Sequence, residues 1–167
     1  MLIVGLTGNI ACGKTTTANI FKELGAKIIE ADEVARKFMQ PGTPQFSEIL
    51  KYFGNDILDK EGKINRRRLG QIVFSNKEKL KVLNKIIHPP TIEYIKDELK
   101  RINQEEIVII ESALILETEL KKLIHKLIVV KTYRRLQLAR LKNKQLTLDE
   151  GKQRLSAQLK KKKKIKQ

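Results

Sequence analysis

A chain of 167 residues has the length of one domain and is long enough to bury a core. With 41% hydrophobic and 32% charged residues it reads as globular, and no apolar run approaches the roughly 20 residues of a membrane span, so no membrane partner is expected. The net charge of +16 suits phosphorylated or polyanionic partners, yet eight basic residues and no acid fall in 151–167, which leaves +8 on 1–150. Three Tyr, five Phe and no Trp offer little for stacking on single strands, so nucleic acid is the lesser reading. The apolar start up to Lys14 lacks a basic leader and is broken by glycines, so it does not read as a signal peptide. One cysteine, Cys12, allows no internal disulfide and suits a reducing cytoplasm.

Leu2–Leu6 is a short apolar run and predicts a buried strand. A glycine-rich stretch follows, then a helix over Thr16–Leu24 that Gly25 stops. Lys27–Ile29 predicts a second strand, and Asp32 is placed to cap a helix over Glu33–Met39. After Pro41-Gly42-Thr43-Pro44 a helix over Gln45–Phe53 puts Phe46, Ile49, Leu50 and Phe53 on one face. Asp59-Lys60-Glu61-Gly62 is a turn, and Asn65 and Asn76 can cap two further helices. His88-Pro89-Pro90 is expected to break the chain before a helix over Thr91–Asn103. Ile107–Ile110, closed by Glu111, and Leu127–Val130 predict strands three and four. A basic helix over Tyr133–Leu141 and a last helix from Leu148 to about Lys164 complete the chain. Strands separated by helices imply an α/β fold: a parallel sheet covered on both faces. The long helical gap between strands two and three reads as an inserted subdomain.

Gly8-Asn9-Ile10-Ala11-Cys12-Gly13-Lys14-Thr15 fits the phosphate-loop pattern G-x-x-x-x-G-K-[ST], and it follows a predicted strand and opens a helix. The glycines let the backbone curl, so that successive N–H groups face a phosphate, aided by the positive end of the helix. Lys14 can reach the β- and γ-phosphates of ATP, and the Thr15 hydroxyl can bind Mg²⁺. Gly8 to Thr16 are therefore the candidate ATP-binding residues. Cys12 sits where a helix N-terminus can activate a thiol, but is read here as a small residue filling the loop.

The order of short motifs resembles dephospho-CoA kinases. Gly5–Thr16 carries GLTGNIACGKTT, followed by Leu24-Gly25-Ala26, Ile29-Glu30-Ala31-Asp32-Glu33-Val34-Ala35-Arg36 and Pro41-Gly42-Thr43-Pro44. Further on come Ile57-Leu58, Arg66 with Ile72-Val73-Phe74, Ile87-His88-Pro89 and Leu114–Glu117. Leu136-Gln137-Leu138 with Arg140, and Arg154 with Ala157-Gln158, complete the match. The resemblance implies a P-loop nucleotide-kinase-like fold in which ATP phosphorylates the ribose 3′-hydroxyl of dephospho-CoA to give coenzyme A and ADP. It implies a core from residues 1–31 and 105–167 with a lid near 133–146, and a helical CoA-side subdomain over 32–104. Another P-loop small-molecule kinase, or a non-enzymatic basic nucleic-acid binder, are the alternatives.

By the same resemblance Asp32 is the catalytic base, with Lys14 and Arg140 as its catalytic companions. Asp32, Arg36, Arg66 and His88 form the substrate-binding set, and Thr15 and Glu111 the metal set. Taken without the resemblance, each has a plainer role: Asp32 a helix cap, His88 a cap before a proline, Glu111 a strand-end charge, and the arginines solvated surface. Arginine suits a phosphate clamp because its fork binds two oxygens at once, so Arg140 and Arg154 are the candidates for that work. The chain departs from the family pattern at Glu30, at Ala113, where proline is usual, and at Lys144-Gln145, where a second lid arginine is expected. After Ala157-Gln158 the family pattern continues into an edge strand and a closing helix. The chain instead runs through Lys160–Lys164 to Gln167, so that strand and helix are expected to be missing and catalysis to be weakened.

Overall fold

The computed structural model describes residues 1–142, and the chain divides into two compact units, one formed by Met1–Ala31 with the residues from Leu99 onward, the other by Asp32–Glu98. The last predicted helix, Lys144-Gln145, Arg154 and the Lys160–Lys164 run lie outside the described residues.

The first unit is built on a four-stranded sheet in the order β2-β3-β1-β4. The strands are β1 (Leu2–Thr7), β2 (Lys27–Glu30), β3 (Ile107–Glu111) and β4 (Lys126–Val129), and every pairing is parallel. Their apolar, β-branched sequences suit a sheet buried on both faces, and Leu6, Val108 and Ile110 are fully buried. Helix α1 (Lys14–Glu23) covers one face with Ala18 and Phe21 against Val4, Leu6 and Ile109. On β1, Ile115 and Ile124 approach Gly5 closely, where a larger side chain would collide with both. Strands one to three each run one residue further than the sequence suggests, to Thr7, Glu30 and Glu111. The fourth is shifted by one, although Val130 N still donates to Thr7 O at 2.7 Å.

The second unit contains α2 (Ala31–Lys37, from Asp32), α3 (Pro44–Phe53), α4 (Arg66–Ser75) and α5 (Lys77–Arg101, to Glu98). Its own core joins Ile49, Ile57, Leu69, Val73, Ile86 and Ile87. The helix starts are set by local chemistry. Thr43 Oγ1 accepts from Phe46 N, Asn65 Oδ1 from Arg68 N, and Asn76 Oδ1 from Glu78 N and Lys79 N. Asp59 Oδ1 accepts from Glu61 N and Lys63 N and closes the predicted turn.

Two expectations are corrected here. Asp32 is not a cap, because α2 starts one residue earlier at Ala31 and Asp32 lies within its first turn. The His88-Pro89-Pro90 segment does not break the chain, since α5 runs through it for 25 residues. Two prolines remove two N–H donors but leave the helical path intact where packing on both sides holds it. Ile86, Ile87 and Ile95 are all buried, and Thr91 Oγ1 donates to Ile87 O at 2.7 Å. His88 is consequently a mid-helix residue and not a cap before a new helix.

His88 is half-buried, and burial pushes its pKa below the ordinary 6.5. The unfolded chain therefore takes up this proton first as pH falls. The associated stability is complete above 6.5 and declines as pH drops from there toward the folded-state pKa. Melting curves between about pH 8 and pH 5.5 should show a shallower acid decline for His88→Gln than for the parent chain. Equal slopes would mean that His88 titrates alike in both states.

Candidate active site

All four parallel strands present their C-terminal ends at one edge of the sheet, the side where open α/β sheets bind ligands. At that edge β1 ends in Thr7, which is fully buried and donates through Oγ1 to Ala113 O at 3.5 Å. The next residue, Gly8, has no room for a side chain. A Cβ there would lie 2.4 Å from Val130 O and 2.5 Å from Cys12 Sγ. The loop then turns back on itself, with Cys12 N donating to Asn9 O at 3.2 Å, and Ala11 is held at a left-handed φ of 59°. An L-residue bears a cost of roughly 1–2 kcal/mol in that region. Gly13, at φ 106°, makes the last turn before α1 begins at Lys14. Gly13 O accepts from both Thr17 N and Thr17 Oγ1, which fixes the helix start.

The first N–H groups of a helix have no partner within it, and here they follow a glycine that brings no capping side chain. The loop with the first turn of α1 is thus suited to an anion. Lys14 is partly exposed at the helix start and Thr15 is exposed beside it. Thr15 Oγ1 donates to Glu111 Oε1 at 3.2 Å. Glu111 is the last residue of β3, buried, and lies opposite Leu6 of β1 and Glu30 of β2. A hydroxyl and a carboxylate at this distance form the hard-oxygen pair that Mg²⁺ takes, so the two residues fit such an ion.

The far side of the loop is closed by α6 (Arg134–Lys142). Two of its side chains, one turn apart, hold consecutive carbonyls of the loop. Gln137 Nε2 donates to Ile10 O at 3.0 Å and Arg140 donates through one terminal guanidinium nitrogen to Ala11 O at 3.2 Å. Gln137 is buried and Arg140 is exposed. A cleft between the loop and the β4–α6 connection is lined by Gly8, Asn9, Cys12, Val130, Thr132 and Gln137. Asn9 Oδ1 is buried with no hydrogen-bond partner among the described residues, and Cys12 is a buried free thiol inside the loop.

The site residues read from the sequence fall into two groups. Gly8 to Thr16, Glu111 and Arg140 belong to the first unit, and the contacts above join the loop to both Glu111 and Arg140. Asp32, Arg36, Arg66 and His88 belong to the second unit. Asp32 is exposed in the first turn of α2, one turn from Arg36, which pairs with Glu33. Arg66 is exposed at the first position of α4, directly after its Asn65 cap. The residue to which sequence reasoning gave no site role, although it stands in the quoted Leu136-Gln137-Leu138 motif, is Gln137. Its signal was its spacing, three residues before Arg140 on a helix, which puts both on one face.

A glycine-rich loop between the first strand and first helix of a parallel sheet, with a lysine, a hydroxyl and a strand-end carboxylate at its mouth, defines a P-loop nucleotide-binding domain. The sequence model for dephospho-CoA kinase matches residues 2–167. The dephospho-CoA kinase of Listeria innocua is 38% identical over 159 residues, covering 93% of this chain and 80% of that protein. That of Carboxydothermus hydrogenoformans is 38% identical over 167 residues, covering 98% and 81%. Among solved structures, a dephospho-CoA kinase from Campylobacter jejuni superposes with a TM-score of 0.67 at 34% identity, over 98% of this chain and 83% of that one. TT1252 from Thermus thermophilus superposes with a TM-score of 0.80 at 28% identity, over 99% and 84%. The chain belongs to the dephospho-CoA kinase family. No helix among the described residues is long and apolar enough to cross a membrane.

Gly8→Ala tests the loop geometry directly. The added methyl would meet a backbone carbonyl and a buried sulfur, so the loop must open. ATP affinity, measured by calorimetry, should fall by about tenfold or more, the size of losing one or more charge-assisted hydrogen bonds. An unchanged affinity would show that the loop's curvature does not hold the phosphates.

Proposed function

We propose that this chain transfers the γ-phosphoryl group of ATP to the ribose 3′-hydroxyl of dephospho-CoA, giving coenzyme A and ADP. The observation that carries the reading is the seating of Thr15 against Glu111 at the mouth of the glycine loop, in a chain of this family. The loop N–H groups and Lys14 bind the β- and γ-phosphates and keep them in line for transfer. Thr15 and Glu111 are the residues that would hold Mg²⁺. When bound, the ion neutralises charge on the phosphate oxygens. Arg140 is the phosphate clamp. Its guanidinium lies on the loop at Ala11 O, and to reach a phosphate it exchanges that neutral acceptor for an anionic one, which makes the stronger hydrogen bond.

Asp32 orients the 3′-hydroxyl and accepts its proton. In a loose phosphoryl-transfer transition state that proton leaves late, so the carboxylate serves mainly to orient the hydroxyl. The exposure of Asp32 in the first turn of α2 supports this, because a carboxylate there is open to a ligand. Arg36, Arg66 and His88 serve the substrate side, within a helical unit over 32–104 that receives the CoA moiety. The segment near 133–146, which includes α6, acts as the lid.

Two substitutions separate the roles. Lys14→Ala should weaken ATP binding and turnover together. Asp32→Asn should leave the ATP Kd within about twofold while lowering kcat by roughly 10²–10⁴-fold, the range of general-base contributions. Calorimetry with ATP, run beside coenzyme A formation from dephospho-CoA, reads both. Full turnover by Asp32→Asn would remove the aspartate from the chemistry. An acceptor panel in which other alcohols are phosphorylated as fast as dephospho-CoA would overturn the substrate assignment.

A further inference from the structure

We propose that Gln137 is a positioning residue for phosphate binding: from α6 it holds the Ile10 carbonyl and thereby sets the direction of the Ala11 N–H in the loop. The inference rests on the reading of the loop as the ATP site. A trans peptide places its C=O and N–H on opposite sides. A donor that fixes the Ile10 carbonyl at 3.0 Å therefore fixes where the Ala11 N–H points. The need for such a donor is visible one bond later, at the left-handed φ of 59° of Ala11. An alanine does not rest there unless its surroundings hold it.

The next peptide is fixed on both sides. Its Cys12 N–H donates to Asn9 O, and its Ala11 C=O accepts from Arg140. The two donors on α6 differ in kind, however. Arg140 is exposed and carries a charge that a phosphate attracts, so its hold on Ala11 is exchangeable. Gln137 is neutral and buried, and the following turn of α6 is anchored by the buried Leu141. A buried amide keeps its partner because leaving it unmet is costly. When Arg140 turns to a phosphate, Gln137 still ties α6 to the loop. It also lines the cleft beside Gly8, Asn9 and Cys12, so its position is felt where the loop begins and ends.

The test uses the full chain and two variants. Gln137→Met keeps the side-chain volume and removes the donor, whereas Gln137→Lys keeps a donor on a stem of similar length. Binding of ATP and of inorganic tripolyphosphate is measured by calorimetry, and KM is measured separately for ATP and for dephospho-CoA. Gln137→Met is expected to weaken both ATP and tripolyphosphate about tenfold and to leave the dephospho-CoA KM within about twofold, as the loss of one buried hydrogen bond implies. Gln137→Lys is expected to recover most of the affinity. Unchanged ATP affinity in a folded Gln137→Met chain would overturn the inference. So would a parallel loss for ATP and dephospho-CoA with a lowered Tm, which is the mark of general loosening. A parent chain that binds neither ATP nor tripolyphosphate would instead overturn the ATP-site reading, and this inference with it.

Discussion

The parallel pairing of β1 with β3 on one side and β4 on the other is the constraint on which the site depends. Its register sets Leu6 beside Glu111 and Thr7 beside Val129. The strand ends are then locked by Ser112 N donating to Leu6 O and Val130 N donating to Thr7 O. A slip of one residue in β3 would turn Glu111 to the other face of the sheet and separate it from Thr15. A slip in β4 would move Val130 away from Gly8, against which it packs so closely that only glycine fits. The chemistry of the loop is thus a consequence of strand alignment reaching from residue 2 to residue 130.

What the alignment brings together differs in range along the chain. The loop itself is local, made by the six residues from Gly8 to Gly13 between β1 and α1. Its partners are remote: Glu111 lies 96 residues from Thr15, Gln137 127 residues from Ile10, and Arg140 129 residues from Ala11. These long contacts hold the loop and the helix start from outside their own segment. Ala11 illustrates the point, since an alanine with a positive φ needs tertiary support that its own neighbours do not supply. The helical unit over Asp32–Glu98 is organised separately, around its own isoleucine-rich core. Tyr94 adds an edge contact with Phe38 and accepts a hydrogen bond from Lys37, tying α2 to α5 within that unit.

Much of this was legible in the sequence, for identifiable reasons. The strands announced themselves because parallel sheets require unbroken apolar runs, and Ile107–Ile110 is one. Asn65 and Asn76 were readable as caps because capping is a local contact of an asparagine with the residues just after it. The loop was readable because phosphate binding needs glycines at fixed spacing. The failures were tertiary. His88-Pro89-Pro90 looks like a break by propensity, but buried isoleucines on either side carry the helix through it. Asp32 looks like a cap because its residue type favours that position, yet α2 takes Ala31 as its first residue. Gln137 stood in the Leu136-Gln137-Leu138 motif without a role, because no local rule says that a buried amide on a late helix will meet a carbonyl near the start of the chain.

The central claim is that strand register makes Thr15 and Glu111 one Mg²⁺-nucleotide site. It is tested most directly by ATP affinity measured with and without Mg²⁺ on the parent chain and on Glu111→Gln. Glutamine keeps an oxygen that can accept from Thr15 and so preserves the fold, but it removes the negative charge a divalent cation needs. The account predicts that the parent chain gains affinity when Mg²⁺ is added, and that Glu111→Gln loses about tenfold or more of that gain while its Mg²⁺-free affinity stays near that of the parent. An identical Mg²⁺-dependent gain in both chains would contradict it.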